Sequence, residues 1–248
     1  MPSANTCYQD PRPVRRKRRP RRGRRSFLIL LTLIALIAGG IAFLRRSAAP
    51  EAGGIPAPDY VQEDFLTVNP YSRPGDELRI IRGVVIHYVG NPGTSAQANR
   101  NYFESLKSGA DGVCASSHFV VGLEGEILQC VPLTEIAYAS NSRNEDTVSI
   151  EVCHPDEDGA FAPESYESVV KLTAWLCETF RLDPESDVIR HYDVTGKICP
   201  KYYVENEDAW ERLKDDLASR IAEDKAASLC GVQMKSFPLK SRALRAVS

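Results

Sequence analysis

The sequence predicts an α/β domain with a mixed central β-sheet flanked by helices, preceded by one N-terminal transmembrane helix. Three observations indicate this. Apolar, β-branched runs bounded by turn residues are intermixed with segments whose apolar residues have helical spacing. Two of the strand-like runs are separated only by a short turn, which places an antiparallel hairpin in the sheet. A long uncharged apolar stretch lies near the N-terminus and is typical of a membrane span.

The N-terminal region has a basic segment followed by an apolar one. Residues 1–25 carry nine arginines and one lysine against a single acid. The run from Phe27 to Leu44 has no charged residue, and a helix of that length, at about 1.5 Å per residue, nearly matches a hydrocarbon core of about 30 Å. A cleaved signal peptide is the competing interpretation, but its apolar region is usually about 7 to 15 residues. This stretch is longer and continues into Arg45 and Arg46.

We therefore predict an uncleaved signal anchor over residues 26–44 in the cytoplasmic membrane. The excess of basic residues before the span predicts that residues 1–25 are cytoplasmic and that the rest of the chain lies outside the cell. Residues 45–59 are rich in Ala, Pro and Gly and are predicted to be a linker. A folded domain is predicted over residues 60–224, and residues 225–248, which contain no acid, are predicted to be a disordered basic tail.

Charge is distributed unevenly along the chain. The formal net charge is −2, although both ends are strongly basic, so the predicted domain carries a large excess of acid. An acidic domain argues against nucleic acid as its ligand. The N-terminal basic run would on its own permit a nucleic-acid-binding arm. Its position against an apolar span instead favours contact with anionic lipid headgroups.

The first elements of the domain follow in order. "GVVIHYVG" at 83–90 predicts a buried strand, and Thr94 or Ser95 then caps an amphipathic helix that ends at Gly109. "SHFVVG" and "EILQCVP" flank the turn "LEGE" and predict a hairpin. "TVSIEVCH" predicts a further buried strand.

Two helices and a strand complete the domain. "PESYESVVKLTAWLCETF" has Pro163 at the first helical position and a broad apolar face. "DVIRHYD" predicts a short strand, and "NEDAWERLKDDLASRIAED" predicts a last helix.

The chain has seven cysteines, an odd number, so an exported domain cannot pair all of them internally. Cys177 falls on the apolar face of a predicted helix and is expected in the core. Buried free thiols are expected at Cys114, Cys130 and Cys153, with one disulfide among them as the alternative.

Two histidines and one cysteine stand at the ends of predicted strands and in the loop that follows. His87 lies at the end of the first core strand and His191 at the end of the last one, and Cys199 follows His191 by eight residues. A lone histidine in an apolar strand is more often a hydrogen-bonded core residue. Two imidazoles and one thiolate without a fourth protein ligand, however, suit a catalytic zinc that keeps one position open for water.

The stretch from about Asp64 to Trp210 resembles the zinc-dependent N-acetylmuramoyl-L-alanine amidases of the phage-lysozyme and peptidoglycan-recognition type. The resemblance rests on "NPYSRPG", "GVVIHYVGNPGTSAQANRNYFESL", "SSHFVVGLEGEILQCVP", "SIEVCH" and "RHYDVTGKICP", in the order that the family shows them. It implies that the domain binds peptidoglycan and hydrolyses the amide bond between N-acetylmuramic acid and L-alanine. It also implies that zinc is the cofactor, held by His87, His191 and Cys199.

The resemblance further implies roles for two residues that do not hold the metal. Glu151 would act as general base and then general acid, and Lys197 would place a positive charge beside the oxyanion of the tetrahedral intermediate. One branch of the family has a tyrosine just before the hairpin histidine, where this chain has Ser117, so the acid–base role is assigned to Glu151. His118 is expected either to line the substrate groove or to orient the hairpin. His154 is expected at the surface or in a loop.

Two other functions compete with the amidase. Members of this fold that bind peptidoglycan without cutting it have lost the cysteine ligand, whereas Cys199 is present here. A metal-independent cysteine peptidase would use Cys199 as nucleophile and His191 as base.

Overall fold

The computed structural model describes residues 55–110 and 112–235. The predicted cytoplasmic segment 1–25, the predicted anchor 26–44, most of the predicted linker 45–59 and residues 236–248 lie outside the described residues. Among the residues that are described, no helix has both the length and the apolar character needed to cross a membrane.

Within residues 55–110 and 112–235, six strands form one central sheet. They are β1 (Val61–Glu63), β2 (Val84–Tyr88), β3 (Phe119–Val121), β4 (Ile127–Gln129), β5 (Val148–Val152) and β6 (Val188–Arg190). Their order across the sheet is β1-β4-β3-β5-β2-β6. The hairpin pair β3–β4 is antiparallel and the other neighbouring pairs are parallel. The predicted mixed sheet and its hairpin are confirmed.

In the part of the chain that the structure describes, five α-helices surround the sheet. They are α1 (Ala96–Ser105), α2 (Pro163–Phe180), α3 (His191–Thr195), α4 (Lys201–Glu205) and α5 (Glu207–Lys235), and short 3₁₀ helices cover Leu106–Ser108 and Asn141–Arg143. Ser95 caps α1 by accepting a hydrogen bond from the backbone N–H of Ala98, and Pro163 opens α2, as predicted. Gly109 ends the first 3₁₀ helix at a φ of 67°, and a Cβ there would lie 2.6 Å from the ring of Tyr71.

Both faces of the sheet are buried. The side chains of a strand alternate between the two faces, so each strand contributes to a cluster on either side. In β3, Phe119 and Val121 join a cluster with residues of α2 and α5, whereas Val120 lies in a second cluster with Phe103 of α1. Helices therefore cover the sheet on both sides, which explains why its strands read as continuous apolar runs.

The secondary structure differs from the sequence-based expectations in several places. The strand predicted over "DVIRHYD" ends at Arg190, and His191 begins α3. Helix α5 continues to Lys235, so residues 225–235 are helical instead of disordered; Ala, Leu, Lys, Gln and Met, which favour helix, dominate this stretch. Strand β1 and helix α4, with three and five residues, were too short to give a periodic signal.

The described cysteine thiols are unpaired. Cys130, Cys153 and Cys177 are buried as expected, and Cys114 is exposed, contrary to the expectation of burial. The alternative of one disulfide among Cys114, Cys130 and Cys153 is therefore wrong, since all three are free thiols.

Candidate active site

The sheet brings three predicted site residues to one edge. Strand β2 lies between β5 and β6 and runs parallel to both. His87 on β2 pairs in register with Glu151 on β5, and His191 begins α3 directly after β6 ends. Since parallel strands end at the same edge, the fold places the three side chains side by side, where α/β sheets commonly bind ligands.

Cys199 joins the two histidines from the loop between α3 and α4. Its Sγ lies 3.9 Å from Nδ1 of His87, and the rings of His87 and His191 have centroids 4.6 Å apart. One ligand atom from each of the three residues lies within 4.8 Å of the others, and all three residues are buried. The structure thus brings together the three predicted metal ligands, and two imidazoles with one thiol are a donor set that suits zinc.

One atom of this cluster lacks a partner. Nδ1 of His191 is buried and makes no hydrogen bond, which is costly for a polar atom unless something else is bound there. A metal ion in the cluster would satisfy it. The residues present therefore fit the zinc that the sequence predicts.

Arg190 fixes the start of α3 and hence His191. Its guanidinium donates to Asp193, to the backbone oxygen of Tyr203 and to Glu207. The backbone N–H of Arg190 also donates to Asp193. The backbone N–H of Tyr192 donates to the carbonyl of Cys199 at 2.9 Å. The bond between Tyr192 and Cys199 ties the residue next to His191 to Cys199, the candidate ligand on the other side of the loop.

Two neighbouring residues contact the far sides of the histidine rings. Nε2 of His191 lies 2.9 Å from Oδ1 of Asn141, and Nε2 of His87 lies 3.2 Å from Oγ of Ser140. Sequence reasoning missed both residues. The stretch "SNSRNED" signals only a turn, and nothing in it indicates contact with residues about fifty positions away.

Glu151 lies beside the cluster. Its Oε1 is 3.9 Å from Nδ1 of His87, and its Oε2 is buried without a hydrogen-bond partner. Burial raises the pKa of Glu151 to about 8, against the lowering effect of the charge on Lys197. A pKa near neutrality suits a group that first accepts and then returns a proton.

Burial also sets the protonation of the candidate ligands. Burial holds the pKa of His87 well below its usual value, with smaller contributions from the charges of His191 and Lys197. Burial also lowers the pKa of His191, with a smaller contribution from the charge of Lys197. Both imidazoles are thus neutral at neutral pH, as ligands must be. Burial raises the pKa of the Cys199 thiol to about 12, with a further contribution from Glu151.

A cavity of about 340 Å³ gives access to these groups. Lys197 is exposed and lines the cavity together with His87, Glu151 and His191. The other walls come from residues of α1, of the segment before β3 and of the loop before β5, namely Phe103, Cys114, Ala115, Ser116, Tyr138, Ala139, Asn141 and Asn144. Its volume falls within the range for small-molecule sites.

The structure places His118 and His154 away from the cavity. His118 is buried, accepts a hydrogen bond at Nδ1 from the backbone N–H of Ser149, and donates from Nε2 to the carbonyl of Glu135. These contacts favour the orienting role over substrate binding. His154 lies in the loop after β5, as one of its two expected positions had it, but it is buried instead of on the surface. Its ring nitrogens lie 2.9 Å from Val89 O and 2.7 Å from Asp156 O.

Known N-acetylmuramoyl-L-alanine amidases are similar to this chain in sequence. The sequence pattern of the Amidase_2 family, described as N-acetylmuramoyl-L-alanine amidase, matches residues 77–202, just over half of the chain. N-acetylmuramoyl-L-alanine amidase BlyA of Bacillus subtilis (strain 168) is 30% identical over an alignment of 178 positions, and the match covers 64% of this chain and 47% of BlyA. CwlL of Bacillus licheniformis is 33% identical over an alignment of 156 positions, and the match covers 58% of this chain and 42% of CwlL. The chain therefore matches about half the length of these relatives.

Solved structures share the fold. The catalytic domain of XlyA is 23% identical with a TM-score of 0.54, and the match covers 63% of this chain and 98% of that domain. PlyL is 18% identical with a TM-score of 0.53, covering 63% of this chain and 96% of PlyL. Because the family pattern spans β2, β5, β6 and the loop that carries Lys197 and Cys199, the chain belongs to the N-acetylmuramoyl-L-alanine amidase family.

Proposed function

We propose that the chain is a zinc-dependent enzyme that hydrolyses the amide bond between N-acetylmuramic acid and L-alanine in peptidoglycan. The observation that carries the proposal is the buried cluster of His87, His191 and Cys199, with ligand atoms within 4.8 Å of one another and a carboxylate 3.9 Å from one of the histidines. Two relatives named N-acetylmuramoyl-L-alanine amidase support the choice of bond.

The proposed roles divide between holding the metal and handling charge. His87, His191 and Cys199 would hold zinc, which supplies Lewis-acid chemistry by polarising a carbonyl and acidifying water. Glu151 accepts a proton from the attacking water at its carboxylate and returns it to the leaving amine of L-alanine. The ammonium group of Lys197 stabilises the negative charge that develops on the carbonyl oxygen.

Metal dependence provides the test of the proposal. Full-length protein should release soluble fragments from purified peptidoglycan, lose this activity after removal of metal with a chelator, and regain it with about one equivalent of Zn²⁺. A metal-free preparation with full activity would contradict the proposal.

The structure gives reasons to rank the rivals lower. A cysteine peptidase needs an accessible, easily ionised thiol. Cys199 is only 2% exposed, so its thiol is poorly accessible to a substrate. A peptidoglycan-binding module without catalysis has no use for a buried carboxylate beside the candidate ligands. Oε2 of Glu151 has no hydrogen-bond partner, and Oε1 lies 3.9 Å from Nδ1 of His87.

We also propose that residues 26–44 anchor the protein in the cytoplasmic membrane with its domain on the cell-wall side. The support is the uncharged apolar run between two basic clusters. Protease added to intact protoplasts should remove the domain and leave the N-terminal segment. A protected domain, or one released as a soluble cleaved product, would contradict the anchor.

A further inference from the structure

The two candidate histidine ligands are held by adjacent residues of one loop. His87 comes from β2 and His191 from α3, and these elements are more than a hundred residues apart in sequence. Ser140 contacts Nε2 of His87, and the next residue, Asn141, contacts Nε2 of His191. One dipeptide thus bridges the two elements on the side away from Cys199.

The contact with Asn141 determines which nitrogen of His191 carries the proton. An amide oxygen can only accept a hydrogen bond, so Nε2 of His191 donates to Oδ1 of Asn141 across 2.9 Å. In a neutral imidazole the other nitrogen then has a free lone pair. That nitrogen is Nδ1, which is buried without a partner.

The backbone at Asn141 is unusual and is maintained by its neighbours. Its φ is 51°, in the left-handed region where a non-glycine residue is disfavoured, although Asn tolerates it better than most. Asn144 accepts hydrogen bonds at Oδ1 from the backbone N–H groups of Ala139 at 3.1 Å and Ser140 at 2.6 Å, which fixes the approach to this position. Backbone strain of this kind collects at functional sites.

We infer that Asn141 is a positioning residue for the metal site, which holds His191 in the tautomer and orientation that present Nδ1 to the ion. The inference rests on the proposed zinc site. Hydrogen-bonding partners of ligating histidines raise metal affinity, and their loss typically costs about 10- to 100-fold. Asn141 would act only through His191, and hydrolysis would change as a consequence of metal occupancy.

Three variants of the full-length protein test this role through Zn²⁺ affinity, measured by competition with a chromophoric chelator. Asn141→Gly removes the acceptor and relieves the positive φ, so its dissociation constant for Zn²⁺ should rise about 10- to 100-fold while the metal-free protein melts no earlier than wild type. Asn141→Asp keeps an acceptor and should stay within about threefold of wild type. Ser142→Ala, an exposed neighbour in the same 3₁₀ helix, is the control and should bind as wild type does.

Replacement of Zn²⁺ by Co²⁺ adds a readout of ligand geometry. The visible absorption bands of the Co²⁺ protein should shift in Asn141→Gly and not in Asn141→Asp. Wild-type zinc affinity in Asn141→Gly, or an equal loss in both variants, would overturn the inference and leave the proposed function intact if the wild type still binds zinc and cuts the wall. A wild type that binds no zinc would overturn both. If Asn141→Gly does not fold, a loss of more than tenfold in Asn141→Asp overturns the inference.

Discussion

Glu151 and His87 occupy paired positions on adjacent parallel strands, and Oε1 of the carboxylate lies 3.9 Å from Nδ1 of the imidazole. The register of β2 and β5 alone brings a candidate proton acceptor next to a candidate metal ligand. Both residues sit on rigid strands in the middle of the sheet, so their separation is fixed by the fold and does not depend on a loop.

Replacement of this carboxylate should separate catalysis from metal binding. Glu151→Gln keeps the shape of the side chain but removes the proton acceptor, so turnover should fall by about 10²- to 10⁴-fold. Zinc content, measured on the same sample, should remain that of the wild type. Glu145→Gln, at an exposed position, serves as the matched control. Near-normal turnover in Glu151→Gln would remove Glu151 from the mechanism.

Lys197 should contribute through its charge. Lys197→Met retains a long side chain and loses the ammonium group, and by analogy with loss of one oxyanion donor turnover should drop about 10²- to 10³-fold. Steady-state kinetics on peptidoglycan fragments, together with zinc content, measure the effect. The exposed Lys225 on α5 offers the control Lys225→Met, which should behave as wild type. Equal activity of the two variants would show that the charge of Lys197 is not used.

The two cysteines near the site should differ in their effect on zinc. Cys199→Ser removes one of three candidate ligands, so the protein should lose its zinc and with it hydrolysis. Cys114→Ser changes an exposed thiol that lines the cavity but lies outside the ligand cluster, and its zinc content should stay unchanged. Retained zinc in Cys199→Ser, or loss of zinc in Cys114→Ser, would contradict the assignment of ligands.

Glu104 should make stability depend on acidity. Burial alone would raise the pKa of this carboxylate, but hydrogen bonds from Lys107 and Thr67 and the charge of Arg100 outweigh it and lower the pKa to about 2. Because the pKa is lower in the folded state than its ordinary value of 4.5, the stabilisation is complete above about pH 4.5 and is lost as the pH falls toward 2.

The variant Glu104→Gln measures this contribution. It should be less stable than wild type by about 1 to 2 kcal/mol at pH 7, a value that allows for partial solvent screening. Denaturant titrations at several pH values should show the difference shrinking between pH 4.5 and 2. A difference that does not change with pH would mean that the charge of Glu104 plays no part.

Sequence patterns, together with the family resemblance, located the candidate site residues that are close together in sequence or lie on strands. His191, Lys197 and Cys199 lie within nine positions, and His87 and Glu151 each lie in an apolar run that predicts a strand. The same reasoning failed for contacts between distant loops. Asn141 contacts His191 from the start of a 3₁₀ helix and has a positive φ, and no sequence periodicity reports such a conformation.

Burial of isolated polar residues was equally hard to foresee. His154 follows a strand and precedes a proline, which suggests a loop, and nothing in the sequence shows that its ring nitrogens lie near carbonyls of the segments that follow β2 and β5.

Residues 225–235 have no apolar stripe, and they are helical because α5 continues from a packed segment through residues of good helix propensity.

The identity of the bond that is cut tests the central claim most directly. Purified peptidoglycan treated with the full-length protein should be analysed by mass spectrometry and by labelling of new amino termini and new reducing sugar ends. The account predicts peptides with a new L-alanine amino terminus and glycan strands with free lactyl carboxylates. New reducing ends, which indicate a glycosidase, or cuts inside the stem peptide, which indicate a peptidase, would contradict it.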